Sequence, residues 1–533
     1  MPTEASLMPV GSDGKIALAG LGIAVALACA AITFGQQPMN RNPGGGQSPR
    51  PGSKQTTPTV VGARHCSSCH SDAMRYKDAD VICGMDEYSK WEENDRHRTA
   101  YQSLLTESSQ RIGKQLGINV TENDGKCMGC HGIVVAKDTT SFSFNAKDEG
   151  VTCVACHGAS KEWIEEHQIP NSRDWSILTR AQKQDQKGMI DVWDPKSRVE
   201  KCLSCHVGNT AEGKVLTHAM YAAGHPPLPS IETAAFSENE PRHWQYLREK
   251  RNKVQQRLGF NPKRLEQAEL VAVSGLTALT ASLRLLTDGA GEGTTPAEPD
   301  FARYDCAACH HDLTVPEKSW RQARGYKGAP GRPTAPAWPM ALVRVGLEAA
   351  DPLREEGWNK TLGDQIREFH LALSEKPFGD LVRAKSVARQ IILWADEPLG
   401  ILGRMSQTKL GEPGPVVDRA RAVAMLGQIK KIAEAESPDF DSARQLAWAF
   451  RSIYRELVAV DPGNGNPKIN NLLEHLDKTL DLTPQPRTPA DQRSIVDSLS
   501  ERLEKARGYD LAKFQEDIAA MVDHLGDRRG SSN

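Results

Sequence analysis

The sequence predicts a mainly α protein in two parts. The first has little regular structure and is built around a repeated cysteine–histidine motif; the second, C-terminal part is helical. Three observations carry this. The pentad Cys-x-x-Cys-His occurs five times, at residues 66–70, 127–131, 153–157, 202–206 and 306–310. Between the pentads, from about residue 60 to 313, turn-forming residues alternate with short helical stretches. After Gly331 cysteine disappears, and apolar residues recur at helical spacing with no strand-like alternation.

The pentads have a specific chemistry. Two thiols three positions apart lie on one side of a helical turn, where they can add to the two vinyl groups of one porphyrin. The histidine after the second thiol then reaches under the ring as an iron ligand, the attachment pattern of c-type haem. Cys66 and Cys69, Cys127 and Cys130, Cys153 and Cys156, Cys202 and Cys205, and Cys306 and Cys309 are the expected attachment points. His70, His131, His157, His206 and His310 are the expected proximal ligands, giving five haems and five irons. Structural zinc also uses Cys-x-x-Cys but needs four ligands per ion, and five half-sites do not pair evenly. A dithiol redox site needs one such motif rather than five.

Each iron has a second axial position, and residues 60–313 contain seven further histidines. His97, His167, His218, His225, His243 and His311 are the expected distal ligands, with His65 a weaker candidate. His218 and His225 flank Met220 and Tyr221. Gly224 is expected to let the backbone approach a porphyrin face, and Pro226 to stiffen the chain after it. His311 directly follows a proximal ligand, so it must point away from that iron and suits a neighbouring haem. Met74, Met85 and Met220 rank below the histidines as ligands.

The remaining chain reads in order. Residues 16–35 are uncharged and mostly apolar, long enough to cross a bilayer, so residues 1–35 are expected to be a signal anchor or a cleaved signal peptide. Either places the bulk of the protein in the periplasm or another extracytoplasmic space. Residues 36–59 are rich in Pro, Gly, Gln, Ser and Thr and read as a disordered tether. Residues 60–331 form the haem-bearing part. Within it, residues 262–286 are the exception, a long packing helix between the fourth and fifth motifs with Pro262 at its start. Residues 332–533 are the helical part, with stripes at Leu446, Phe450, Ile453 and Leu457 and at Ile495, Leu499 and Leu503. Residues 488–491 look like a helix N-terminus. His370, His475 and His524 are expected to be surface or packing residues, and Cys83 a small buried one. The net charge of −2 over 533 residues gives no field that points to nucleic acid.

At these residues the chain resembles a known family. Residues 64–101, with Trp91 and then His97-Arg98-Thr99-Ala100, are similar to the opening of the tetrahaem cytochrome c domain of the ammonia-oxidation electron carrier. Residues 127–132 and 150–158 resemble its second and third motifs. Residues 222–226 and 305–313 resemble segments of larger multihaem cytochromes. The resemblance implies a pentahaem cytochrome c domain that passes electrons between redox protein partners, with mostly bis-histidine irons. It departs from the archetype in having five pentads rather than four. Two other functions fit the same residues. One is a haem enzyme acting on a small nitrogen or oxygen species at one open-faced haem. The other is the haem subunit of a membrane redox complex, with the helical C-terminal part as a docking module. The short gap between the second and third motifs predicts that their haems are adjacent.

Overall fold

The structure is a computed structural model that describes residues 60–76, 83–135, 141–142, 144–159, 161–168, 175, 178–288, 300–310, 332, 334–409, 411–412, 414–483 and 498–526. The expected anchor, the tether, the helix start at 488–491, Ile495 and His311 lie outside the described residues. Described helices dominate. The first part is a series of short pieces: α1 (Ala63–His70), α2 (Glu87–Asn94), a 3-10 helix Arg96–Leu105, α3 (Glu107–Leu116), α4 (Met128–His131), α5 (Cys153–His157) and α6 (Lys161–Gln168). Two-residue strands β1 (Val60–Val61) and β2 (Ser141–Phe142) pair in parallel.

Longer helices begin at the fourth motif. Asp194 caps α7 (Pro195–His206) by accepting the Ser197 N–H at 2.9 Å, with Pro195 at the first helical position. Then come α8 (His218–Ala222), α9 (Thr233–Asn239) and α10 (Glu266–Thr287). The α10 helix is the predicted long one, but Pro262 is not at its start. Arg264 N–H closes a turn onto the Asn261 carbonyl, and helix begins only after Leu265. Its N-terminus is held from across the core instead, where Glu456 Oε2 accepts the N–H groups of Gln267 and Ala268 at 2.9 and 3.0 Å.

α10 is buried on nearly all sides, so it is a central helix rather than an amphipathic one. Among the described residues it alone is long and apolar enough to cross a membrane, and its burial inside the fold accounts for that composition. Around it pack α7, α9, α11 (Val343–Ala350), α13 (Leu381–Met405) and α15 (Phe440–Val460). α12 (Glu355–Ser374), α14 (Arg419–Glu436), α16 (Pro467–Leu480), α17 (Leu499–Gly508) and α18 (Leu511–Gly526) complete the block. Leu446, Phe450, Ile453 and Leu457 on α15 are all buried, each contributing about 1.5–3 kcal/mol of transfer free energy.

One apolar core runs from Val199 and Leu203 on α7 to Met521 on α18, and residues 57–533 form one compact unit. The change in composition at residue 331 is therefore a change in chemistry along the chain, with the core continuous across it. The closest helix approach depends on two glycines. A Cβ at Gly275 would meet the Leu342 carbonyl oxygen at 2.5 Å, and one at Gly346 would meet that of Ala272 at 2.6 Å. Gly275→Ala and Gly346→Ala are each expected to destabilise the protein by about 1–3 kcal/mol through overpacking. Chemical denaturation of the haem-loaded protein checks this.

Candidate functional site

Each pentad ends a short helical turn, which puts its thiols and imidazole on one side. The five proximal candidates sit on α1, α4, α5 and α7 and just after the 3-10 helix Cys306–Ala308. The first four motifs open onto a single cavity of about 3230 Å³, lined among others by Cys66, Cys69, Cys127, Cys130, Cys153, Cys156, Cys202 and Cys205. A drug-sized ligand needs only about 300–1,000 Å³, so this space suits several porphyrins. Cys306 opens onto a second cavity of about 1460 Å³, shared with Tyr221 and Arg502.

The histidines come together in pairs. Ring centres lie 6.0 Å apart for His70 and His167, and 6.4 Å apart for His131 and His225, for His97 and His206, and for His218 and His310. A metal–imidazole bond of about 2 Å, plus roughly 1 Å from nitrogen to ring centre, separates two imidazoles on one metal by about 6 Å. Each of the four pairs fits one iron on that measure. Their ring planes differ: 14° and 25° for His70–His167 and His218–His310, but 72° and 84° for His131–His225 and His97–His206.

No such pairing is seen for His157 among the described residues. Its Nδ1 is buried without a partner. Burial, followed by the proximity of His243, holds its imidazole down at about 4. His243 itself packs against Trp244, ring centres 5.1 Å apart. Burial also drops His167 and His206 to about 4, which favours the neutral imidazole, the form a metal requires.

Several rings are fixed through Nδ1, which leaves Nε2 to face a metal. His70 Nδ1 lies 2.7 Å from Glu87 Oε2. His131 Nδ1 is 2.8 Å from Ser103 Oγ and 3.1 Å from the Ala100 carbonyl. His225 Nδ1 donates to the Pro226 carbonyl at 2.7 Å. His97 Nδ1 is 3.1 Å from Asp95 Oδ1, and that carboxylate also accepts the His97 backbone N–H. For His70 and His97 burial works against protonation, but the neighbouring carboxylates outweigh it, and His97 rises to about 9. His70, Cys83 and Glu87 bring three donor atoms within 4.8 Å of one another. The Glu87 contact assigns this cluster to the anchoring of His70, while desolvation pushes the Cys83 thiol up to about 12.

His167 is wedged between Trp163 and Trp175, each ring centre 5.6 Å away. His218 starts α8 with its N–H on Asp300, and its ring meets Phe301 at 5.6 Å. Gly224 takes φ +111°, and the nearest atom to an added Cβ is an Ile112 carbon at 3.8 Å. The glycine is there for its left-handed backbone rather than for room. His65 lies on α1, and Met74 is exposed. In the second half, His475 Nδ1 is 2.6 Å from Asp517, and His370 packs partly buried on α12.

The motifs are not neighbours in the order the chain suggests. The Cys66 and Cys153 sulfurs lie close together, as do those of Cys130 and Cys205. Cys205 Sγ also lies 3.8 Å from the Gly129 carbonyl. The third motif thus sits beside the first, and the second beside the fourth. Three contacts pull the third motif over: Ala63 N–H to Glu149 Oε2 at 2.7 Å, Trp91 Nε1 to the Val151 carbonyl at 3.2 Å, and Val151 N–H to the His97 carbonyl at 2.9 Å. The adjacency of the second and third haems expected from spacing along the chain has no direct sulfur contact behind it among the described residues.

Residues 65–158, which hold the first three motifs, match the family model described as cytochrome c554 and c-prime. The match is consistent with a multihaem cytochrome c family. Comparison with curated proteins and with solved structures gave no match. The cytochrome segment covers α1 to α5 and so includes His70, His97, His131 and His157. A match to this family over these residues points to c-type haem, covalently attached through its iron-binding motif, and to electron transfer as the family's activity. Sequence reading missed Glu87, Ser103 and Asp95, because an acceptor for Nδ1 has no fixed spacing from the histidine it holds.

Proposed function

We propose that this protein is an exported electron carrier with five covalent haems, each iron held between two histidines. The assignment is His70 with His167, His131 with His225, His157 with His243, His206 with His97, and His310 with His218. The observation that carries it is the recurrence of one ring separation, 6.0–6.4 Å, at four of the five motifs. His243 is given to His157 because it is the remaining histidine close enough to influence that ring. In this assignment His311 is not needed by any of the five irons.

Haem supplies the one-electron couple; the chain's residues fix the axial ligands, exclude water and set the order of the sites. The sulfur contacts put the first haem beside the third and the second beside the fourth, and the influence of Cys156 on Cys202 supports joining the third to the fourth. The fifth joins at the second, because His218 and His225 stand seven positions apart on one turn of chain. Between them Tyr221 lies 6.2 Å from the His225 ring and lines the Cys306 cavity. Axial imidazole on both faces lowers the potential relative to a thioether ligand, so the carrier would work at low potential. Redox protein partners would supply and remove the electrons, in the periplasm or an equivalent compartment, with residues 16–35 as membrane anchor. Nothing in the charge balance favours nucleic acid.

The ring planes make this testable. The two near-parallel pairs should give ordinary rhombic low-spin electron paramagnetic resonance (EPR) signals, and the two near-perpendicular pairs strongly anisotropic ones. A spectrum with a single class of low-spin haem would contradict the assignment. The enzyme reading keeps one foothold, the unpaired His157. Carbon monoxide binding by one haem of the reduced native protein would favour an open site there, and no binding favours the carrier.

A further inference from the structure

We propose that Glu87 is a positioning residue that makes the first haem site the low-potential end of the chain, by holding His70 as an electron-rich imidazole. This rests on reading the motifs as haem sites. Oε2 of Glu87 takes the Nδ1 proton side of His70 at 2.7 Å, while Oε1 accepts the N–H groups of Gly84 at 2.5 Å and Met85 at 3.1 Å. The carboxylate is therefore fastened at both oxygens and cannot swing away from the ring. The turn that fastens it is strained: Met85, buried and not a glycine, has φ +66°. Such a conformation persists only where its surroundings hold it in place, and here they close around a single carboxylate.

The other Nδ1 partners are weaker. His131 meets a hydroxyl and a carbonyl, and His225 a carbonyl. His97 meets two carboxylates, but at longer range, Asp95 at 3.1 Å and Glu240 at 3.8 Å. A charged acceptor strengthens the hydrogen bond and raises the basicity of the opposite nitrogen. Greater basicity at Nε2 stabilises ferric over ferrous iron, so the haem bound to His70 is the hardest of the five to reduce. The fourth site, through Asp95, comes next, and the second, whose Nδ1 contacts are a hydroxyl and a carbonyl, lies higher.

The test uses the full-length, haem-loaded protein in a potentiometric titration followed by visible and EPR spectra. Haem content is measured in parallel as the pyridine haemochrome. Glu87→Gln should keep five haems and move the lowest couple towards easier reduction. A tenfold change in its reduction equilibrium is expected, about 59 mV for one electron. The moving signal should belong to the near-parallel class, where His70 and His167 fall. Ser103→Asp, which places a carboxylate at His131, should lower a couple in the near-perpendicular class. Unchanged couples in Glu87→Gln with five haems retained would overturn the proposal. If Glu87→Gln fails to load haem, an unmoved spectrum of couples in Ser103→Asp would overturn it, and a lowered couple would support it. A wild-type protein without covalent haem would instead remove the reading on which the proposal rests.

Discussion

Replacing His225 with alanine is expected to turn one low-spin haem high-spin and open it to carbon monoxide, leaving the other haems unchanged. His225 is held in place by more than its own packing. The left-handed Gly224 directs the chain, the Pro226 carbonyl takes the Nδ1 proton at 2.7 Å, and the ring centre stands 6.4 Å from that of His131. Removing the ring leaves His131 as the lone axial imidazole at that site. His218 is not placed to replace it, since its ring stacks on His310. The change is read in the absorption spectrum and by counting carbon monoxide bound per protein. An unaltered spectrum would strike His225 from the ligands.

The second large effect concerns stability. Without attached haem the first half of the chain should not hold its fold. An apolar space costs about 24 cal/mol per Å³ when left unfilled. Water would fill much of the roughly 3230 Å³ space in the haem-free chain, but it would not replace the apolar contacts of the porphyrins, and total stability is only about 5–15 kcal/mol. Cys153→Ala, which removes a thioether beside Cys66, should lower haem content and thermal stability together. Chain made in cells lacking haem attachment should lose helical signal cooperatively. A haem-free chain with the melting temperature of the loaded protein would contradict this.

Legibility in the sequence depends on which interactions are local. Haem attachment is written in five consecutive residues, so all ten motif cysteines and five histidines could be named. The α15 stripe is equally local, as is the burial of Leu446 and Ile453. The distal histidines could be listed but not paired, because pairing His97 with His206 or His218 with His310 needs the chain to close on itself over about a hundred residues. The same limit hid the third motif's place beside the first, which depends on Glu149 reaching Ala63. It also hid the common core. The composition break at 331 suggested two separable parts, yet α10 from the haem half lies among α11, α13 and α15. Removing residues 334–533 would therefore expose α10 rather than free a module, and the α10 leucines would face water.

The most direct test of the central claim is the haem stoichiometry of the purified mature protein, by pyridine haemochrome, joined to a count of spin states by EPR. The account predicts five covalent haems per chain, all low-spin, in two classes of signal. A colourless protein, zinc in place of iron, or a majority of high-spin haem would contradict it.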